Sequence, residues 1–224
     1  MCGRYRARRF DLLKLGLRTP PLPGFEEFTE RPRWNVAPSN RMPIVRMDDE
    51  GMRELAIARW GFIPSWAKEL PKLQPINARA ETVTTNGMFR QAFAHRRCLV
   101  PTDGFYEWKG TNPPKQPFFI HQPDDGQFAF AGLWERWRKT KDTDPLDTFT
   151  IITTAPNELM AGIHDRMPVI VRQQDYERWL NPKYPSDDLK SLLTPFPDEL
   201  EAYPVSTHVN SPKNDDPMCI EKLK

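Results

Sequence analysis

Apolar residues along the chain gather in short runs rather than in long helical stripes. Seven such runs, at residues 43–46, 55–60, 98–100, 117–121, 128–134, 149–153 and 168–171, have strand length and are bounded by Pro, Gly, Asp or Asn. That pattern predicts a β-rich fold with irregular connections. Helical spacing is confined to 10–17, 87–94 and 173–180; the last has apolar Tyr176, Trp179 and Leu180 after a polar start and is closed by Pro182 and Pro185. Residues 110–115 and 139–147 are polar and turn-forming, and read as exposed loops. With no internal repeat or low-complexity tract, the expectation is one α+β domain over residues 1–224. It consists mostly of short antiparallel strands in a coiled or barrel-like sheet, with a few peripheral helices.

Composition narrows the function classes. The 224 residues sit at the upper edge of what one hydrophobic core supports. No window approaches the roughly 18 consecutive apolar residues of a membrane helix, and the start lacks a signal peptide's apolar region. A cytoplasmic chain with no membrane partner is expected, nucleoid-associated in a bacterium or nuclear in a eukaryote. Three cysteines, Cys2, Cys98 and Cys219, form no CxxC pair, so reduced thiols are expected and neither a metal site nor a cofactor is indicated. The 24 prolines are about twice the usual share of about 5%, but plentiful aromatics, seven of them Trp, mark a folded, turn-rich chain. The net charge of +2 hides an asymmetry: residues 1–46 carry ten Lys/Arg against four Asp/Glu. A basic N-terminal side admits an anionic partner without demanding one.

Five segments carry candidate chemistry. At the start, Met1-Cys2-Gly3-Arg4-Tyr5, the small residue after Met1 permits its removal, leaving a cysteine whose α-amine and thiol stand two carbons apart. The amine is partly unprotonated near neutral pH, and a neighbouring cation such as Arg4 is expected to lower the thiol. Such an aminothiol condenses with an aldehyde to an imine and then closes to a thiazolidine; the alternative is an ordinary cysteine near a terminus. In an extended 75–81 segment, Asn77, Arg79 and Glu81 fall on one face, as an anion-binding set or as a solvated sheet face. Glu107, between Tyr106 and Trp108, is a carboxylate in aromatic surroundings, where a raised pKa suits acid–base work; a surface strand edge is the alternative. His164-Asp165 precedes the apolar run at 168–171 and is the best-framed histidine; His95, His121 and His208 have no comparable company and read as structural. In Trp60-Gly61-Phe62-Ile63-Pro64-Ser65-Trp66, only Trp66 is expected at the surface, where it can stack on unpaired bases. Arg4, Arg6, Arg8 and Arg9 are available for phosphates.

Taken in order, these segments resemble the SRAP family, the SOS-response-associated peptidase-like proteins also described as abasic-site processing proteins. The resemblance runs through Cys2-Gly3-Arg4-Tyr5, Arg33-Trp34-Asn35-Val36-Ala37-Pro38, Trp60 to Trp66, Ile76-Asn77-Ala78-Arg79-Ala80-Glu81, Arg97-Cys98-Leu99, Asp103 to Trp108, Lys115-Gln116-Pro117-Phe118-Phe119, and residues 128–135, 149–153 and 163–171. It implies a sensor of abasic sites in single-stranded DNA, expected to act as a monomer, in which Cys2 captures the ring-opened sugar's aldehyde. Asn77 would position the sugar, Glu107 shuttle protons, and His164 serve ring opening and reversal. The implied DNA contacts are Arg4, Pro38, Trp66, Arg79, Thr153 and Arg166, with Trp66 a wedge at the gap. Asn86-Gly87 stands where a basic residue is expected before Met88-Phe89, so one phosphate contact is missing. Two rivals remain open: an N-terminal-nucleophile amidotransferase or peptidase, and a non-catalytic single-strand binder.

Overall fold

The computed structural model describes residues 2–8, 10–17, 25, 28 and 31–223. Their strands form two sheets. The first runs β13 (Glu201–Pro204), β8 (Gln116–His121), β7 (Gly104–Lys109), β1 (Arg4–Ala7) and β2 (Arg33–Val36). In the second, β10 (Leu146–Thr154) pairs with β4 (Arg53–Trp60), β4 with β3 (Arg41–Met47), β3 with β6 (Arg97–Thr102), β6 with β9 (Phe128–Trp137), and β9 again with β10. The five close on themselves as a barrel, fulfilling the expected α+β architecture. Most pairings are antiparallel; the parallel ones among the described residues are those of β10 with β4 and then with β5 (Asn77–Arg79), which continues along the edge that β4 leaves.

A five-stranded barrel has room inside only for side chains. Ile44, Ala58, Trp60, Cys98, Phe130 and Phe149 make one buried cluster, joined by Tyr5 and Phe105 from the first sheet. Trp60 stacks on Phe149 at 6.2 Å between ring centroids, and Tyr5 meets Trp60 and Phe130 edge-on. The alternate residues, among them Val45, Leu99, Ala131 and Ile152, pack outward against Phe93 of α1 (Arg90–His95) and Trp179 of α3 (Tyr176–Leu180). This period of two is what made the strands readable. Gly132 on β9 is set by close approach: a Cβ there would stand 2.8 Å from Cys98 Sγ and 2.9 Å from Val100 Cγ2.

Two expectations need correction. Residues 10–17 are not a helix but a single turn: Leu15 N–H reaches Asp11 O, Leu17 N–H reaches back to Leu12 O, and Gly16 adopts φ +70°. A glycine in the left-handed region with that long return bond ends a helix before it can propagate. The run 168–171 is two strands, β11 (Met167–Pro168) on β10 and β12 (Ile170–Val171) on β9. Val169 bridges them, its N–H bonded to Ile152 O and its carbonyl to Ala131 N–H, so the segment wedges in where β9 and β10 part. Among the described residues no helix is long and apolar enough to cross a membrane.

Candidate functional site

Strand β1 is held between β2 and β7, and its register with β7 pairs Arg4 with Tyr106, Tyr5 with Phe105 and Arg6 with Gly104. Continued toward the start of the chain, that register carries Gly3 and Cys2 alongside Glu107 and Trp108. Cys2 is fully buried, and Glu107 is 2% exposed. Burial pushes the Glu107 carboxyl up to about 7, in the range the aromatic surroundings predicted. The third member comes from across the molecule. After α2 (Glu158–Ala161), whose N-cap Asn157 accepts from Met160 N–H, the His164 N–H returns to Met160 O, and the ring sets Nε2 3.8 Å from Glu107 Oε2. His164 Nδ1 faces both the Arg166 N–H at 3.0 Å and Asp165 Oδ1 at 2.9 Å, which fixes the ring with Nε2 toward Glu107. Burial lowers the His164 pKa, against the opposing pull of the Asp165 carboxylate.

The Cys2 thiol is raised, not lowered. Burial is the main cause and the Glu107 charge adds to it. Arg4 does not offset this: its guanidinium turns to Gly3 O at 3.1 Å and Asn210 O at 3.4 Å, and is itself pulled below its usual range by burial.

Beside this trio lies the end of β10. Asn77 pairs in register with Ile151 and Arg79 with Thr153, and Asn77 Nδ2 donates to Ile151 O at 3.4 Å. Arg166 Nη2 donates to Thr153 O at 2.7 Å. Asn77 and Arg79 share the expected extended segment, but Glu81 does not: β5 stops at Arg79, and Glu81 in the following turn forms a two-pronged ion pair with Arg166, at 2.5 and 2.8 Å. Three buried atoms of the expected site residues, Arg4 Nε, Asn77 Oδ1 and Arg166 Nε, have no hydrogen-bond partner among the described residues. Orphaned buried donors and acceptors are what a polar ligand satisfies. Arg79 is exposed, and Trp66 is 67% exposed as expected, while Trp60 and Trp179 are core. Half-buried Pro38 is tied to the Trp66 segment through Ser39, whose N–H donates to Trp60 O and whose Oγ accepts from Arg59, both at 2.8 Å.

The basic N-terminal side is largely neutralised from within. Arg6 is 1% exposed and binds Asp103 and Asp125; Arg8 binds the same two carboxylates; Arg33 binds Asp215. Arg6 is therefore withdrawn from any phosphate, Arg8 is a quarter exposed but already neutralised by two carboxylates, and Arg9 lies outside the described residues. Asn86, where a basic residue was expected, accepts the Met88 N–H at 2.9 Å and its carbonyl accepts the Arg90 N–H, so it shapes the approach to α1. Sequence reasoning missed Asn210, which holds Arg4 through its carbonyl and the Trp108 indole N–H through Oδ1 at 2.7 Å. No local signal marks a residue 206 positions from its partner.

The family model for SOS response associated peptidase (SRAP) matches residues 1–212. The chain belongs to the SRAP family. Among SRAP relatives, the abasic site processing protein YoqW of Bacillus subtilis is 49% identical over 194 residues, 85% of this chain and 86% of that one. The abasic site processing protein HMCES of Xenopus tropicalis is 33% identical over 86% of this chain and 67% of its own length. YedK of Escherichia coli, named likewise, is 29% identical over the full length of both. A crystal structure of a protein from Bacteroides thetaiotaomicron superposes with a TM-score of 0.87 at 28% identity, covering both chains entirely.

Proposed function

We propose that this chain processes abasic sites in single-stranded DNA, acting as a monomer, by linking Cys2 covalently to the ring-opened sugar. The observation that carries the reading is the junction of buried Cys2, a carboxyl at about 7 and the His164 imidazole, 3.8 Å from that carboxyl. The names of the relatives support the substrate.

Removal of Met1 frees the Cys2 amine. The amine attacks the aldehyde carbon to give a carbinolamine, which loses one water as the imine forms. The thiol then adds to the imine carbon, making the C–S bond of a five-membered thiazolidine; its proton passes through Glu107 to the ring nitrogen. A thiol held protonated by burial suits this order, because it stays unreactive until the cationic imine stands beside it. His164 serves as the acid–base group of ring opening, taking the anomeric hydroxyl proton while the Glu107 carboxyl gives its proton to the ring oxygen, and the same transfers run backwards in reversal. Asn77 presents Oδ1 to the opened sugar's hydroxyl, and Arg4 and Arg166 present their free Nε–H groups to flanking phosphates. Arg79, Thr153 and Pro38 line the strand's path, and Trp66 stacks at the gap left by the missing base.

The test is a denaturing gel after incubation with a single strand bearing one abasic site. A heat-resistant adduct is expected with the processed chain and none with Cys2→Ala. An equal adduct from Cys2→Ala overturns the thiazolidine mechanism, and glutamine hydrolysis without an adduct would favour acyl transfer.

A further inference from the structure

The C-terminal segment carries a second cluster that the chemistry at Cys2 does not use. Two short 3-10 turns, Thr207–Asn210 and Pro217–Ile220, fold back to back after β13. They bring together one ligand atom each from His208, Asp216 and Cys219, all within 4.8 Å of one another. His208 Nε2 lies 3.1 Å from Asp216 Oδ2. Far from lacking company, His208 faces a carboxylate on one side and Asn214 on the other. Cys219 is fully buried at the inner end, whereas His208 and Asp216 are partly exposed.

Imidazole nitrogen, carboxylate oxygen and thiolate sulfur are donors that Zn²⁺ accepts together. Atoms bound at about 2.0–2.3 Å to a tetrahedral ion stand roughly 3.3–3.7 Å apart, so the trio needs side-chain movements of only about 1 Å. Partial exposure of two ligands gives an ion its way in and leaves the fourth position to water. We infer that His208, Asp216 and Cys219 form a zinc site that clamps the C-terminal segment.

Loading is chemically balanced. The thiol gives its proton to solvent and coordinates as thiolate. Burial, with Asp215 and Asp216 adding, holds that thiol above its usual value, and a cation among them reverses the effect. The imidazole stays neutral, its proton moving from Nε2 to Nδ1. Asn214, whose amide lies 3.2 Å from Nδ1, turns its oxygen inward to accept it, giving up the Nδ2 bond to His208 O. The consequence reaches the Cys2 site indirectly. The same segment holds Arg4 and Trp108 through Asn210, and Asp215 accepts from the Trp34 and Asn35 N–H groups at 2.6 and 2.8 Å. An ion at the turns therefore stiffens the wall behind Cys2 without touching it. The spacing His-x7-Asp-x2-Cys matches no common zinc signature, so the sequence gives no warning of it.

Cobalt(II) is the probe. Tag-free full-length chain, stripped with a chelator, is titrated with Co²⁺ and then with Zn²⁺. One ion per chain is expected, with a thiolate-to-cobalt charge-transfer band and tetrahedral d–d bands that Zn²⁺ abolishes. The bands are expected to vanish in Cys219→Ser and His208→Gln and to persist in Cys2→Ser, which removes the competing aminothiol. The unmodified chain's Tm should climb with Zn²⁺ concentration, and that of His208→Gln should not. Absence of the bands in the unmodified chain, their survival in Cys219→Ser, or their loss in Cys2→Ser overturns the inference. Should Cys219→Ser fail to fold, the stoichiometry of the unmodified chain and the His208→Gln titration decide alone.

Discussion

Two arginines on β1, Arg4 and Arg6, stand two residues apart and live in opposite electrostatic worlds. Arg6 is sealed in: it binds Asp103 and Asp125 and lies over the Phe119 ring at 4.4 Å. Arg4 is half-buried, its guanidinium bonded among the described residues to the backbone carbonyls of Gly3 and Asn210 and its Nε without a partner there. A buried charge with complete partners holds structure together. One desolvated without a counterion is held at a cost that only a ligand recovers, and perturbed groups such as Glu107 collect around it. The same contrast separates Asp103, saturated by two arginines, from Glu107, four residues on, whose carboxyl is pushed up to about 7.

The comparison breaks if the two ends of β1 respond alike. The largest effect is expected at the paired end: Arg6→Ala takes the buried partner from Asp103, leaving it only the more exposed Arg8, and should cost about 3–5 kcal/mol, read as a lowered urea midpoint, whereas Arg4→Ala should leave that midpoint nearly unchanged and weaken adduct formation. Next, Glu107→Gln should slow crosslinking by about 10²–10⁴-fold with the fold intact by circular dichroism. It should also flatten the pH dependence of stability. The folded carboxyl titrates near 7 against an ordinary 4.5, so the folded chain holds the extra proton between those values. Its contribution to stability is therefore full below about 4.5 and lost as pH rises through about 7. A variant as pH-sensitive as the parent over that window would remove Glu107 from this role.

Smaller effects sharpen the picture at the rim. Trp66→Ala should weaken binding to an abasic strand by about 1–3 kcal/mol, a stacking loss read by fluorescence anisotropy, without changing Tm. Arg166 is engaged by Glu81 through both terminal nitrogens. Glu81→Gln removes the carboxylate that neutralises Arg166, so that its phosphate contact counts as a full charge, and should steepen the salt dependence of log K by about 0.7. An unchanged slope would mean that Arg166 serves only to hold Thr153 and the turn.

Much of the barrel was legible because its strands alternate between an inner cluster and an outer one, a period that survives in the sequence. The short strands β1, β2, β5 and β13 carry no such run; β1 is a strand because β2 and β7 flank it, and Glu201–Pro204 because β8 offers an edge. Residues 10–17 have the apolar spacing of a helix, yet Gly16 stops it after one turn, and Leu15 and Leu17 supply core contacts from that turn. At the site, the surroundings of Glu107 and the exposure of Trp66 could be read locally. The pairing of Arg6 with Asp103, of Arg166 with Glu81 and of Arg4 with Asn210 could not. Each joins residues at least 85 positions apart, so charge counts along the chain overstated the basic face that the fold presents.

The central claim is that buried Cys2, once free of Met1, is the atom pair that captures the sugar. Intact-mass analysis of the adduct after nuclease trimming tests it most directly. The account predicts the mass of the chain without Met1 plus the trimmed abasic nucleotide fragment less one water, with the modification mapped by peptide fragmentation to Cys2. An adduct that retains Met1, or one that maps to a lysine, would contradict it.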